Sequence, residues 1–160
     1  IQWSLLISSL STMPQIHTLL TTHHKYCDEL FSTAEEAAHR GDWPACNVGC
    51  GHFSKEMLTH FDGEEKLLFP AFENATGMSM GPTQMMRQEH VQMRELLQQM
   101  NAAAANQDTS AFSGVAETLL ILMQQHNMKE ENILYPMCDQ SLEAQATDLT
   151  AQLGEHLKTA

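Results

Sequence analysis

Residues 60–70 read HFDGEEKLLFP, and this stretch decides the fold because it returns at residues 126–136 as HNMKEENILYP. The two copies share a His-x-x-x-Glu-Glu pattern and are 66 residues apart. A second match stands upstream at the same offset, where HKYCDELF at residues 24–31 corresponds to HVQMRELL at residues 90–97. Neither match needs a gap. The repeat therefore predicts two similar helical hairpins that pack around a pseudo-two-fold axis.

Length and composition favour a single all-α domain. The chain has 160 residues, of which 42% are hydrophobic and 18% charged, as in an ordinary globular protein. Eleven methionines and many Ala, Leu, Gln and Glu residues favour helices over strands. Turn signals predict four long helices, over about residues 14–40, 43–74, 82–105 and 111–138, and a short C-terminal fifth helix over 142–157. Because the connections are short, we predict an up-down-up-down four-helix bundle.

We predict that this domain covers residues 13–160 and follows an N-terminal extension, residues 1–12. The extension is apolar, has no basic residue and is too short to span a bilayer. It need not be native, and it could cover the bundle or a neighbouring subunit in a homodimer.

Charge and cysteine content exclude several classes of function. The net charge of −12 argues against nucleic acid and anionic membranes as partners and suits a domain that attracts cations. The four cysteines form no Cys-x-x-Cys pair, so a thiolate zinc site is not expected. With no secretion signal in the sequence, we expect reduced thiols and a cytoplasmic location.

The repeat also predicts a cluster of polar residues in the bundle core. His60 and Glu64 are four residues apart and face the same way on a helix, and the second copy repeats this pair. His24 and its counterpart each precede the paired histidine by 36 residues, which can place both at one level of an antiparallel hairpin. The candidate metal ligands are His24, His60, Glu64, His90, His126 and Glu130.

Two metal ions suit this set better than one. A single ion would have too many ligands, whereas two ions would each take two histidines while Glu64 and Glu130 bridge them. Imidazole with carboxylate suits Fe or Mn, with Zn possible. Buried ionised glutamates are unfavourable without a cation, so the ions should also stabilise the fold. An isolated histidine is usually an ordinary helix residue, but six residues matched at one offset favour a metal site.

The order His, His-x-x-x-Glu-Glu, His, His-x-x-x-Glu-Glu resembles the hemerythrin-like family, also called the HHE cation-binding domain family. The resemblance covers about residues 14–140 and includes the Leu-Phe-Pro and Leu-Tyr-Pro tails. It implies a non-haem, oxo-bridged di-iron centre with four terminal histidines and with Glu64 and Glu130 as bridges. A ferritin-like bundle is the nearest alternative, but it would carry Glu-x-x-His pairs in the reverse order.

The ligand pattern differs from that of the oxygen-carrying hemerythrins. Those proteins have a His-x-x-x-His pattern on the third helix and a His-x-x-x-x-Asp pattern on the fourth. Here Met86 stands four residues before His90, and Glu130 replaces the Asp. The set looks more like family members linked to nitric oxide stress and to repair of iron–sulfur centres. The resemblance thus implies a protein that binds or reacts with O2, NO or peroxide in sensing, storage or stress response.

Other functions stay open at this point. The protein could donate iron to damaged iron–sulfur clusters, or it could be an enzyme that reduces NO or peroxide. The sequence has no flavin or nicotinamide motif, so such a reductase would need an external electron donor. A structural zinc bundle is a less favoured interpretation.

Several residues around the predicted site have less certain roles. Glu56 stands one turn before His60 and could accept the N–H of a liganding histidine or lie in solvent, and we favour solvent. His52 lies on the same helix face, and His17 could face inward. We expect His23 at the surface and Met128 in the core or lining the pocket. Glu65 and Glu131 should lie against the opposite helix or in solvent. Tyr26 and Tyr135 could form hydrogen bonds near the site.

Overall fold

A computed structural model describes residues 15–158, and this part of the chain is built from helices with no β-strand. The α-helices are α1 (Gln15–His39), α2 (Trp43–Gly63), α3 (Phe69–Thr76), α4 (Pro82–Ala105), α5 (Thr109–Lys129), α6 (Tyr135–Ser141) and α7 (Ala146–Lys158). Two π-helical turns, Glu64–Leu68 and Glu130–Leu134, join α2 to α3 and α5 to α6, and a 3-10 turn, Glu143–Gln145, precedes α7. The predicted all-α class is confirmed.

Helix ends follow local side-chain and backbone chemistry. Asp42 precedes α2 and accepts the N–H of Ala45 at 3.2 Å, and Asp108 precedes α5 and accepts the N–H of Ala111 at 3.0 Å. Gly77 ends α3 with a φ of 70°, a left-handed conformation that glycine adopts without strain. These signals explain why the long helices begin and end close to their predicted boundaries.

The C-terminal helix begins later than predicted. Ser141 is the last residue of α6, and the N–H of Leu142 donates to the carbonyl of Cys138 at 2.8 Å, so no helix begins at residue 142. The helix α7 therefore starts at Ala146. The predictions for residues 1–12, and for a first helix that begins at residue 14, lie outside the described residues.

The helices pack in two main pairs, α1 with α2 and α4 with α5, which we call the first and second pairs. Helix α2 also contacts α4, and α7 lies against α1 and α2. None of the helices within residues 15–158 has the length and apolar character that a membrane span needs.

Two apolar clusters form the core, and polar residues stand between them. On α1, His24 lies between Leu20 of one cluster and Cys27 of the other. On α4, His90 lies in the same way between residues of the two clusters, Met86 and Met93. The apolar clusters therefore bury this level of the fold from both ends.

The two π-turns begin at Glu64 and Glu130 and shift the residues that follow them. In the second turn, the N–H of Tyr135 donates to the carbonyl of Glu130, five residues earlier. In a regular α-helix such a residue would face about 140° away. The wider turn instead returns Tyr135 to the side of Glu130, where their side chains form a hydrogen bond of 3.1 Å.

The proline after each π-turn leaves one backbone carbonyl to be satisfied by a side chain. Pro136 has no N–H to donate to the carbonyl of Glu131, and the Nε2–H of His17 donates there at 2.9 Å. In the first π-turn, Arg87 donates to the equivalent carbonyl of Glu65 at 3.3 Å. The half-buried position of His17 therefore serves the backbone of the second π-turn.

Candidate metal centre

The structure brings together the side chains of all six predicted ligands. They come from α1, α2, α4, α5 and the first residues of the two π-turns, and each is at most 4% exposed. They form two overlapping groups, and within each group the nitrogen and oxygen atoms lie within 4.8 Å of one another. The groups are Glu64, His90, His126 and Glu130, and His24, His60 and Glu130. Either group could hold a metal ion.

Glu64 lies between the two helix pairs. Its Oε1 atom is 3.3 Å from Nε2 of His60, on its own pair, and 3.4 Å from Nε2 of His90, on the other. Despite these short distances, Glu64 Oε1 and His90 Nε2 have no hydrogen-bond partner among the described residues. Within the described part of the chain, both atoms therefore face the cluster without a partner, as expected of atoms that bind a cation.

Glu130 holds the equivalent place on the second pair. Its Oε1 atom is 3.2 Å from Nε2 of His24 and 3.1 Å from Nε2 of His126. Within residues 15–158, Glu130 Oε2 and His126 Nε2 also lack a hydrogen-bond partner. Each buried polar group left unpaired costs roughly 1–3 kcal/mol. Several such atoms converging at one point, with imidazole and carboxylate donors, fit a bound Fe, Mn or Zn ion.

Carboxylates meet the outer nitrogens of two of these histidines. His126 Nδ1 lies 2.8 Å from Glu89 Oε1, and His24 Nδ1 lies 3.0 Å from Glu131 Oε2. Lys129 also pairs with Glu89. An acceptor on Nδ1 fixes the tautomer and the ring orientation, so that Nε2 faces the centre of the site.

Glu65 is the repeat counterpart of Glu131 and faces the outer side of His90. The distance from Glu65 Oε1 to His90 Nδ1 is 3.6 Å, longer than a hydrogen bond. Arg94 donates to both oxygens of Glu65, at 2.8 and 2.6 Å. Burial would raise the pKa of Glu65, but Arg94 and His90 outweigh it and lower this pKa to about 2. The expectation that Glu65 and Glu131 could pair with the opposite helix is confirmed.

His23 occupies the outer position of His60, which corrects two expectations. Its Nδ1 atom is 2.9 Å from His60 Nδ1, and its Nε2 atom is 3.1 Å from Glu56 Oε2. Both side chains are buried, at 9% exposure for His23 and 7% for Glu56, although we expected them at the surface and in solvent. Burial and the neighbouring His60 lower the pKa of His23 to about 4, so its ring is neutral at pH 7. Glu56 therefore supports His60 through an intervening imidazole.

The sequence contained a signal for this outer position. His23 and Glu89 are also 66 residues apart, and each directly precedes a predicted ligand. Both contact the Nδ1 atom of the histidine on the partner helix of their own pair. A comparison of the two repeats that began one residue earlier would have pointed to both positions, although not to the nitrogen atom that each side chain contacts.

Burial and charge act in opposite directions on two histidines of the site. Burial would lower the pKa of His24, but Glu130 and Glu131 outweigh it and raise this pKa to about 9. Burial would also lower the pKa of His126, but Glu130, Glu89 and Glu64 together outweigh it and raise this pKa to about 10. Without a cation, both rings are therefore protonated at pH 7, and a metal ion that binds them must displace these protons.

Tyr135 points into the same cluster and is completely buried. Its hydroxyl oxygen lies 2.9 Å from Glu64 Oε2, 3.1 Å from Glu130 Oε1, 3.2 Å from His24 Nε2 and 3.3 Å from His60 Nε2. Burial and the two carboxylates raise the pKa of Tyr135 well above its ordinary value. The prediction that Tyr135 could form hydrogen bonds near the site is confirmed.

Three other side chains stand away from the site. The hydroxyl of Tyr26 lies 3.2 Å from His52 Nε2, and both residues are exposed. Met128, which we expected in the core or lining the pocket, is 60% exposed. It follows the buried His126 by two residues, which turns it to the opposite side of α5.

The all-helical fold and the buried His–Glu groups together define a helical bundle with a site able to hold metal. Residues 15–138 match the family model described as Hemerythrin HHE cation binding domain. Because the match covers more than three quarters of the 160 residues, the chain belongs to the hemerythrin HHE family, whose domains bind metal ions, typically iron. Comparisons with curated proteins and with solved structures found no match.

Proposed function

We propose that this protein is a non-haem di-iron protein that binds or reacts with O2, NO or peroxide. The observation that carries the proposal is the pair of overlapping ligand groups, which share Glu130 and have Glu64 between the helix pairs. In this proposal each ion takes two histidines and both glutamates bridge the ions. The proposed ligands are His24 and His60 for one ion, His90 and His126 for the other, and Glu64 and Glu130 for both.

We further propose that the long helices form an up-down-up-down four-helix bundle, with α7 as a short fifth helix, in one domain over residues 13–160. Residues 40–42 connect α1 to α2, and residues 106–108 connect α4 to α5. Connections of this length favour antiparallel neighbours. Contacts between α2 and α4 support the packing of the two pairs into one bundle.

When bound, an iron pair supplies redox chemistry and a position for a small ligand. The chain's own residues orient the imidazoles and enclose them. Outer hydrogen bonds on Nδ1 hold Nε2 of His24 and His126 toward the centre. The rings of Phe61 and Phe69 stack against His90, with centroid distances of 4.1 and 5.8 Å, and keep water from that side.

The function we propose first is binding of a small ligand in sensing, storage or stress response. Iron donation to damaged iron–sulfur clusters and reduction of NO or peroxide with an external electron donor are the alternatives. Mn or Zn would also suit the donor atoms. We also propose that the protein is cytoplasmic, which its four free cysteines support. The net charge of −12 supports the absence of nucleic-acid partners. A homodimer stays a prediction.

Iron content tests the site itself. The purified protein should contain about two iron ions per chain, as expected for a di-iron carboxylate bundle. Replacing His60 or His126 by Ala should lower this content, whereas replacing the exposed His39 at the end of α1 should not. A protein that takes up no iron, or whose iron content is the same in all three variants, contradicts the proposal.

Ligand reactions then distinguish the candidate functions. Reduced protein is mixed with O2, NO or peroxide while absorption spectra are recorded. A reversible adduct supports a binding function, and repeated turnover with an added electron donor supports a reductase. Transfer of iron to an apo iron–sulfur protein, without ligand binding, supports iron donation.

A further inference from the structure

Tyr135 breaks the symmetry of the two repeats at the centre of the site. Its counterpart at the 66-residue offset is Phe69, which is also completely buried and follows the first π-turn. A phenyl ring therefore fills this position well in one half of the fold. The hydroxyl group of Tyr135 adds a polar atom that packing alone does not require.

The four atoms around that hydroxyl are ligand atoms of the proposed metal site, which this inference takes as its basis. Their distances from the tyrosine oxygen run from 2.9 Å at Glu64 Oε2 to 3.3 Å at His60 Nε2. A first-row metal such as zinc binds nitrogen and oxygen at about 2.0–2.2 Å, so neighbouring ligands of one ion are about 3 Å apart. The tyrosine oxygen therefore lies at the separation expected of one more ligand.

The two ligand groups differ in the number of residues, and Tyr135 contacts the smaller group. Four residues form the group around His90 and His126, whereas three form the group around His24 and His60. The tyrosine hydroxyl contacts both histidines of the smaller group, at 3.2 and 3.3 Å. It would give that group a fourth donor residue.

We propose that the phenol oxygen of Tyr135 is a seventh protein ligand, bound to the ion that His24 and His60 hold. The phenol proton passes to solvent when the oxygen binds, as other protein donors lose their protons to a metal. A phenolate is a hard anionic donor that favours ferric iron. On the side of the site that contains His90, the equivalent residue is Phe69, which has no hydroxyl group. The two ions would then differ in ligand set.

Visible absorption of the ferric protein tests this ligand directly, because phenolate bound to ferric iron gives a charge-transfer band. The chain contains two tyrosines, so Tyr26 provides a matched control. We expect the band in the unchanged protein and in Tyr26→Phe, and its complete loss in Tyr135→Phe, with the absorbance expressed per bound iron. Resonance Raman excitation within the band should show tyrosine ring modes that shift when ring-deuterated tyrosine is incorporated.

The outcomes separate this inference from the proposed function. Iron-loaded protein without the band, or a band that Tyr135→Phe retains, overturns the ligand and leaves the di-iron site intact. A chain that binds no iron overturns both. Phe69 shows that phenylalanine fits the equivalent position, and circular dichroism checks the fold of the variant. If Tyr135→Phe does not fold, the Raman shift in the unchanged protein and in Tyr26→Phe decides the question.

Discussion

His23 Nδ1 lies 2.9 Å from His60 Nδ1, in the place that Glu89 takes against His126 in the other helix pair. If His60 binds metal through Nε2 as proposed, its Nδ1–H donates to His23, whose Nε2–H in turn donates to Glu56. His60 is thus supported by the neutral ring of His23, which Glu56 supports in turn. His126 is supported by Glu89 directly.

Replacing Glu56 by Ala should weaken iron binding by about tenfold or more, the effect typical of outer partners of metal ligands. The reason is that His23 loses its acceptor and no longer holds the ring of His60. Competition with a coloured chelator measures the affinity. Glu117→Ala, at an exposed position of α5, is the control. Equal affinities in the two variants would show that the buried Glu56 has no such role.

The ion pair between Arg94 and Glu65 should govern part of the acid stability of the metal-free protein. The pKa of Glu65 is about 2 in the folded chain against an ordinary 4.5, so its contribution is complete above pH 4.5 and is lost as the pH falls toward 2. Arg94→Ala should lower the free energy of unfolding at pH 7 by up to about 1 kcal/mol, because the pair is partly exposed and solvent screens it, and should flatten this dependence. Urea unfolding at pH 7 and pH 3 measures both effects. An unchanged pH dependence would refute the assignment.

The raised pKa values of His24 and His126, about 9 and about 10, predict opposite pH effects with and without metal. Their protonated rings stabilise the metal-free fold fully below about pH 6.5, and this stabilisation is lost as the pH rises through 9 and 10. A metal ion must displace the same protons, so its apparent affinity should rise with pH. Calorimetric titration at pH 7 in buffers of different ionisation enthalpy should show proton release. Binding without proton release would exclude these two rings as ligands.

Asp139 connects α6 to the start of α1 and should be important for stability. Its two oxygens accept the N–H groups of Ile16 and His17 at 3.0 and 3.1 Å, so a side chain of α6 caps α1. Asp139→Ala should lower the free energy of unfolding by about 0.5–2 kcal/mol, the usual effect of losing a cap. Urea unfolding compares it with Glu143→Ala, an exposed residue nearby. A loss no larger than in the control would mean that solvent replaces the cap.

The repeat made most of the fold and the six clustered residues predictable, because helical spacing fixes which residues share a face. The first and second helix pairs, and the burial of His24, His60 and their four companions, follow from that spacing. Their proposed role as metal ligands stays a prediction. Spacing alone could not predict which side chain contacts the Nδ1 atom of each histidine, because that contact depends on how a second helix packs.

The π-turns account for much of what the sequence did not predict. Each adds one residue to a helical turn, and this changes the direction of every later side chain. For this reason Tyr135 reaches the centre of the site, although it is five residues beyond Glu130. The prolines at 70 and 136 stand at the same distance from the two glutamates and were the available signal. Glu56 shows a different limit, because its buried position depends on His23 of another helix.

Two of the outer carboxylates cross from one helix pair to the other, with Glu65 facing His90 and Glu131 facing His24. Neither half of the chain therefore carries everything that its own histidines use. Two fragments produced separately, divided within residues 77–81, would have to associate before Glu65 and Glu131 could face these histidines. A shorter polypeptide with a single copy of this pattern would, for the same reason, be an obligate two-fold dimer.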